Sequence, residues 1–215
     1  MSEPVKTPRR YHSPLRAERS AQTRASIVEA AHELLVVEGF RRTTVHRIAE
    51  RADVNVDTIY RTIGRKADVV RAVIESALSG GPEAVPAQQR DYVRQIQAAR
   101  TAGEKIDIYA TAITDIQQRL APVFIALRDA AREDKGSRAL WREISDRRAR
   151  NMLEFAADLR TTGELRPDFD DAAIADAIWS MNSPEYWLLL VDERGWTPDR
   201  FRAWVSDSWR RLLLA

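Results

Sequence analysis

From Ser20 onward the apolar residues fall at helical spacing. Ile27, Ala30, Ala31, Leu34 and Leu35 recur at i, i+3, i+4, i+7 and i+8, the stripe of an amphipathic helix. Gly39 supplies a C-terminal stop. Thr43 is then a good N-cap for a short second helix carrying Val45, Ile48, Ala49 and Ala52. Asp53-Val54 makes a tight corner, and Asn55 caps a third helix with Ile59, Tyr60 and Ile63 before Gly64 ends it. A fourth helix follows from about Lys66 to Leu78, with Val69, Val70, Val73, Ile74 and Leu78 as its apolar positions.

The stretch Ser79-Gly-Gly-Pro-Glu-Ala-Val-Pro86 interrupts this pattern and places a domain boundary near residue 80. Helical spacing returns over about Gln88–Ala99, then at Ile106, Tyr109, Ala110, Ile113 and Ile116, and again at Val123, Phe124, Leu127 and Ala131. Leu140, Trp141 and Ile144 continue into Met152, Phe155 and Leu159. Residues 171–190 read as a helix bent or interrupted by Pro184, and Phe201, Trp204, Val205, Ser208, Trp209 and Leu212 mark a last one. No alternating apolar run suggests a strand. The expected fold is all-α with about nine helices: an N-terminal head over 20–80 and a C-terminal helical domain over 81–215.

Composition removes several classes of chemistry. The 215 residues contain no cysteine, which excludes disulfides, thiol catalysis and Cys-ligated metal or iron–sulfur centres. His12, His32 and His46 lack ligand spacing, so neither a metal nor a cofactor is expected. No apolar run approaches the ~18 residues of a membrane span, and the polar, proline-broken start has no signal-peptide core. A cytoplasmic protein without membrane partners is expected. Paired carboxylates such as Glu133-Asp134 and Asp170-Asp171 point apart on a helix and look like caps. With no phosphate loop of GxxxxGK[ST] type either, an all-helical enzyme is a remote alternative.

Charge sharpens the picture. The net charge of +2 conceals a gradient: residues 1–78 hold 14 Lys/Arg against 10 Asp/Glu, and residues 79–215 hold 20 against 22. A basic N-terminal part suits a polyanionic partner. Arginine outnumbers lysine 30 to 4, a bias that a G/C-rich genome produces as readily as phosphate recognition does. Residues 1–19, with Pro4, Pro8, Pro14 and five basic side chains, read as a flexible basic arm. Such an arm is either inert or follows the DNA backbone or minor groove.

Two short helices joined by a three- to four-residue corner, over 43–62, form a minimal helix-turn-helix unit. The second helix of such a unit lies in the major groove while the first crosses the backbone. Here it opens Asn55-Val56-Asp57-Thr58, small polar residues suited to base edges, and Tyr60, Arg61, Arg65 and Lys66 bring donors for phosphate oxygens. The wider segment, with Gly39-Phe40, Thr43-Thr44-Val45, Ile48-Ala49, Ala52, Val54, Thr58-Ile59-Tyr60 and Arg65-Lys66, resembles the TetR family of bacterial regulators over about residues 20–80.

The resemblance implies an N-terminal reader of double-stranded DNA on a helical dimerisation and ligand-sensing domain. It implies a homodimeric repressor of a palindromic operator, released by a small molecule. Carried over by position, Thr44 and Lys66 would touch phosphates. Asn55, Val56 and Asp57 would face the major groove, and Thr58 and Tyr60 would contact bases or backbone. Asp53, Asp57 and Ile63 depart from the commonest family pattern. Of these Asp57 matters most, because it either accepts from a cytosine amino group or pairs with a neighbouring arginine such as Arg61.

All six tryptophans lie at or after position 141. Tyr186, Trp187, Leu190, Phe201, Trp204, Val205 and Trp209 are the candidate dimer interface, with plain intramolecular packing as the alternative. Candidate pocket residues on the middle helices are Tyr109, Ile113, Phe124, Leu127, Trp141, Met152, Phe155 and Trp179, which favour a mainly apolar effector. Asp107, Asp115, Arg119, Arg128 and Arg148 lie in the same segments and would select a polar one. A regulator without a small-molecule effector, answering to a protein or acting as an activator, is the second reading.

Overall fold

The structure, a computed structural model, describes residues 14–81 and 85–215. Helix α1 runs Pro14–Arg42, with Gly39 breaking the helical path (φ 75°, ψ 173°) where a stop is expected. It starts six residues before Ser20, so residues 14–19 belong to a helix and not to an arm. Proline costs nothing in a first turn, where no backbone N–H is needed. The remainder of the expected arm, 1–13, lies outside the described residues.

Helix α2, Val45–Arg51, is capped by Thr44 and not Thr43: the Thr44 hydroxyl accepts from the Arg47 amide at 3.2 Å. Thr43 is fully buried and donates to the Gly39 carbonyl at 2.9 Å, satisfying an oxygen that the glycine break releases. After the left-handed corner at Asp53 (φ 53°) comes α3, Val56–Thr62, then Gly64 and α4, Lys66–Ser79. Ile27, Ala31, Leu35, Ile48, Ile59, Val70 and Ile74 close the core of this four-helix head.

A 3₁₀ turn, Ala87–Gln89, precedes α5, Asp91–Ala98. Helix α6, Ala102–Ala130, fuses two stretches that read separately in the sequence, despite Pro122 within it. Buried Ala121, Val123 and Phe124 hold both sides of the proline in one apolar face. Helix α7, Lys135–Arg160, is followed by α8, Asp171–Met181. The stretch expected as one helix over 171–190 instead breaks at Asn182-Ser183. Pro184 opens α9, Pro184–Trp187, where the Ser183 hydroxyl accepts from the Tyr186 amide, and a π-helical turn, Leu188–Glu193, follows. Helix α10, Pro198–Leu213, ends the chain.

The described residues form ten α-helices and no strand, only an isolated bridge between Leu165 and Leu214. No helix among them is long and apolar enough to cross a membrane. The axis of the molecule is α6, against which α1, α4, α5, α7, α9 and α10 all pack. One continuous apolar cluster therefore runs from Ile27 and Ile74 in the head through Ile106 and Phe124 to Trp209. Polar ties cross the same junction: His32 Nε2 donates to the Arg119 carbonyl, Arg119 Nε to that of Ala77, and Arg71 pairs with Glu143.

Candidate functional site: a nucleic-acid interface and an internal cavity

The geometry of α3 follows from one buried side chain. Ile59 is fully buried and pins the helix to the head, so the residues on the opposite side are pushed outward. Asn55, Asp57, Tyr60 and Arg61 are exposed, Val56 and Thr58 half-buried. Asn55 occupies the N-cap position yet makes no capping bond, leaving its amide free for an outside partner. The expected alternatives for Asp57 narrow here: among the described residues neither Asp57 nor Arg61 has an ion-pair partner, so the two do not pair.

Thr44 is exposed at the start of α2, its hydroxyl accepting from the Arg47 amide. Lys66 differs from the exposed phosphate ligand the sequence suggests. It is half-buried, its ammonium donates to the Phe40 carbonyl at 2.5 Å, and it lies 3.9 Å above the Phe40 ring centroid. Burial lowers its pKa, against which the Asp134 carboxylate acts in the opposite sense. Two other cations near the reader are also engaged. Arg47 bonds Glu38 and Arg51 bonds Glu33 at 2.8 Å.

The body holds a cavity of about 610 Å³ between α4, α5, α6 and α7. Of the eight pocket candidates, Tyr109, Ile113, Phe124, Met152 and Phe155 line it. Leu127, Trp141 and Trp179 do not: Leu127 is fully buried core, and the Trp179 ring lies beneath the Arg148 guanidinium at 4.3 Å. Helical spacing places all eight on inward faces but does not say which inward face meets a void.

The polar wall went unnoticed in the apolar pattern. Gln117, only 1% exposed, donates from Nε2 to the Asn182 carbonyl at 2.5 Å. Asn182 Nδ2 donates to the Tyr109 hydroxyl at 2.8 Å, and burial pushes the Tyr109 phenol up, keeping it neutral. Arg148 lines the cavity, and burial pulls its pKa below the usual guanidinium value. Glu75 and Leu78 of α4 also line the wall, with Glu75 ion-paired to Arg147 at 2.6 Å. A buried glutamine or asparagine carries no periodic signature, so of this wall the sequence points only to Tyr109 and Arg148.

The aromatic C-terminal region also divides. On α10, Phe201, Val205 and Trp209 repeat every fourth residue and are fully buried against the body, and Trp187 is buried beside Phe201 at 4.9 Å between rings. These four are interior to the chain itself and form its core, not the interface that their spacing suggests. Trp204 is 45% exposed and Leu189 48%, with Tyr186 and Leu190 half-buried. Trp204 Nε1 donates to the Tyr186 hydroxyl at 2.7 Å, and Trp196 meets Trp204 edge-on at 5.9 Å.

The family model for bacterial regulatory proteins of the tetR family matches residues 27–73. The HTH-type transcriptional regulator YdeS of Bacillus subtilis (strain 168) is 40% identical over 200 residues, covering 91% of this chain and 88% of YdeS. The chain belongs to the TetR family. It is therefore a DNA-binding transcriptional regulator, and the proteins it resembles are regulators and not enzymes.

Solved structures of similar fold include the fatty acid degradation regulator FadR from Bacillus halodurans. It has a TM-score of 0.70 at 17% identity, covering 93% of this chain and 96% of FadR. A SmeT–triclosan complex also has a TM-score of 0.70, at 16% identity, covering 90% and 92%. At these identities the likeness is one of fold. Within the TetR match, Thr44, Asn55, Tyr60 and Lys66 fall inside the matched span and the cavity falls outside it.

Proposed function

We propose that this TetR-family regulator works as a homodimer, reads a palindromic operator with two copies of α3, and is released when a small molecule enters the cavity. In this reading residues 20–80 form the reader and 81–215 the regulatory and dimerisation domain. Asn55, Val56 and Asp57 face base edges, Thr58 and Tyr60 reach bases or backbone, and Thr44 and Arg61 meet phosphates. Lys66 buttresses the end of α1 and offers its remaining protons to a phosphate.

The observation that carries the regulatory part is that α4 belongs to both sites. Its first residue, Lys66, holds Phe40 of the head, and three turns later Glu75 and Leu78 stand in the cavity wall. A ligand that fits only one setting of α4 therefore biases the placement of the head. By linkage, DNA weakens that ligand as much as the ligand weakens DNA. SmeT, a protein of similar fold, is solved in complex with triclosan, which supports a small-molecule effector for this chain. For the dimer, the patch of exposed Leu189 and Trp204 with half-buried Tyr186 and Leu190 is the surface left over once the buried aromatics are assigned to the core.

The test is a fluorescence-anisotropy titration on duplexes from the DNA flanking the gene, repeated with a panel of small apolar molecules. The expected result is a palindromic site bound tightly and at least one compound that lowers affinity about tenfold or more, a coupling of roughly 1.4 kcal/mol. Operator binding that no compound shifts would favour the effector-free alternative.

A further inference from the structure

The cavity wall carries three arginines, Arg90, Arg147 and Arg148, and three carboxylates, Glu75, Glu154 and Asp158, but they are not paired one to one. Glu75 is committed to Arg147 at 2.6 Å and faces Arg90 at 3.9 Å, and Asp158 is bonded to buried Lys105 at 2.7 Å. Arg148 has no such partner. Among the described residues no carboxylate lies within ion-pairing distance. The guanidinium rests on the Trp179 ring, gives one N–H to the Trp179 carbonyl at 3.2 Å, and leaves its buried Nε without an acceptor. A second polar atom is left over nearby. Because Gln117 Nε2 is fixed by the Asn182 carbonyl, its Oε1 is the atom without a partner, although the residue is almost wholly buried.

A desolvated guanidinium with no carboxylate in contact is costly, and a ligand that supplies one reduces that cost. Glu185, the carboxylate that acts on Arg148 from farther off, is itself paired with Arg128 at 3.0 Å. A guanidinium is also the group best matched in geometry to a carboxylate. Ile113, Leu120, Phe124 and Phe155 form the apolar part of the wall.

We propose that the cavity selects a small organic acid, its apolar body against these side chains, its carboxylate on Arg148, and a hydroxyl or N–H beside it donating to Gln117 Oε1. This rests on the effector reading above and specifies its chemistry. A neutral or cationic ligand of the same skeleton leaves Arg148 uncompensated in a drier cavity, so it binds less well.

Calorimetric titration of the full-length protein with decanoate, phenylbutyrate and naphthoate, each against its primary amide, tests the proposal. The acids should bind about tenfold or more tighter than the amides. β-Hydroxydecanoate should bind tighter than decanoate, and Gln117→Leu should erase that increment. Arg148→Met should remove the preference for acids while leaving amide affinity within about twofold. If Arg148→Met does not fold, the acid–amide comparison on the native protein decides. Amides that bind as well as the acids and release DNA overturn the acid proposal alone and leave the effector reading standing. A preference for acids that persists in folded Arg148→Met overturns the assignment to Arg148. If neither acids nor amides bind, the proposal and the effector reading fall together.

Discussion

Asn55 stands at the N-cap of α3 without capping it, and that unused amide is what an approaching base edge can use. Lys66 is its opposite, an ammonium already engaged by its own protein. The two residues therefore answer differently to truncation. Asn55→Ala should cost roughly 1–3 kcal/mol on the operator and little on random duplex, so sequence preference relaxes. Lys66→Met should weaken both duplexes alike, reduce the slope of log affinity against log salt by about 1, and lower the melting temperature as well. Anisotropy at several salt concentrations and a thermal melt separate these outcomes. A loss for Asn55→Ala that is equal on every sequence would remove it from the base readers. The exposure of Asn55 and Arg61 was legible in the spacing of apolar residues. The bond from Lys66 to Phe40 was not, because it joins residues 26 apart through the turn of a helix pair.

The head's elements meet at two corners with contrasting tolerance. Asp53 takes a left-handed conformation (φ 53°), which a short polar side chain accepts and a β-branched one resists. Gly64 sits at φ 128°, and a Cβ there would lie 2.5 Å from Asp68 Oδ2, the carboxylate that accepts from the Arg65 amide to start α4. Asp53→Gly should leave the melting temperature unchanged or raise it, whereas Gly64→Ala should destabilise the protein by about 1–3 kcal/mol. Differential scanning calorimetry reads both. These corners, the all-helical content and the helix order could be read from glycine positions and apolar spacing. Pro122 was misleading because a proline inside a helix costs one hydrogen bond, and strong burial on both sides offsets it. The α10 aromatics were misleading in another way. A stripe at helical spacing shows that a face is buried, not whether its own chain or a second copy buries it, and here Phe201, Val205 and Trp209 turn toward the body while Trp204 turns away.

Across the whole molecule, the head and body are joined by a shared apolar core and by ion pairs whose partners lie far apart in sequence, none of them visible as a local pattern. Arg71 holds the Glu143 carboxyl below its usual range through their hydrogen bonds, and Arg210 does the same for Asp107, with Ser206 assisting. Carboxylates depressed in the folded state stabilise it fully above their unfolded pKa, and that stabilisation is lost as pH falls through the folded value. The melting temperature should therefore drop as pH is lowered from about 6 to about 3, and Glu143→Gln should show a smaller drop. Both pairs are solvent-exposed, so each contributes modestly and screening by salt reduces it further. The cavity lies beneath this junction, and α4 belongs both to its wall and to the head. The most direct measurement is the number of chains bound to one palindromic duplex at low ionic strength, read by sedimentation equilibrium or native mass spectrometry. Two chains per palindrome, with binding abolished when Asn55 and Arg61 are both changed to alanine, is the expected result. A protein that ignores palindromic duplexes, or binds them undiminished without those side chains, would contradict it.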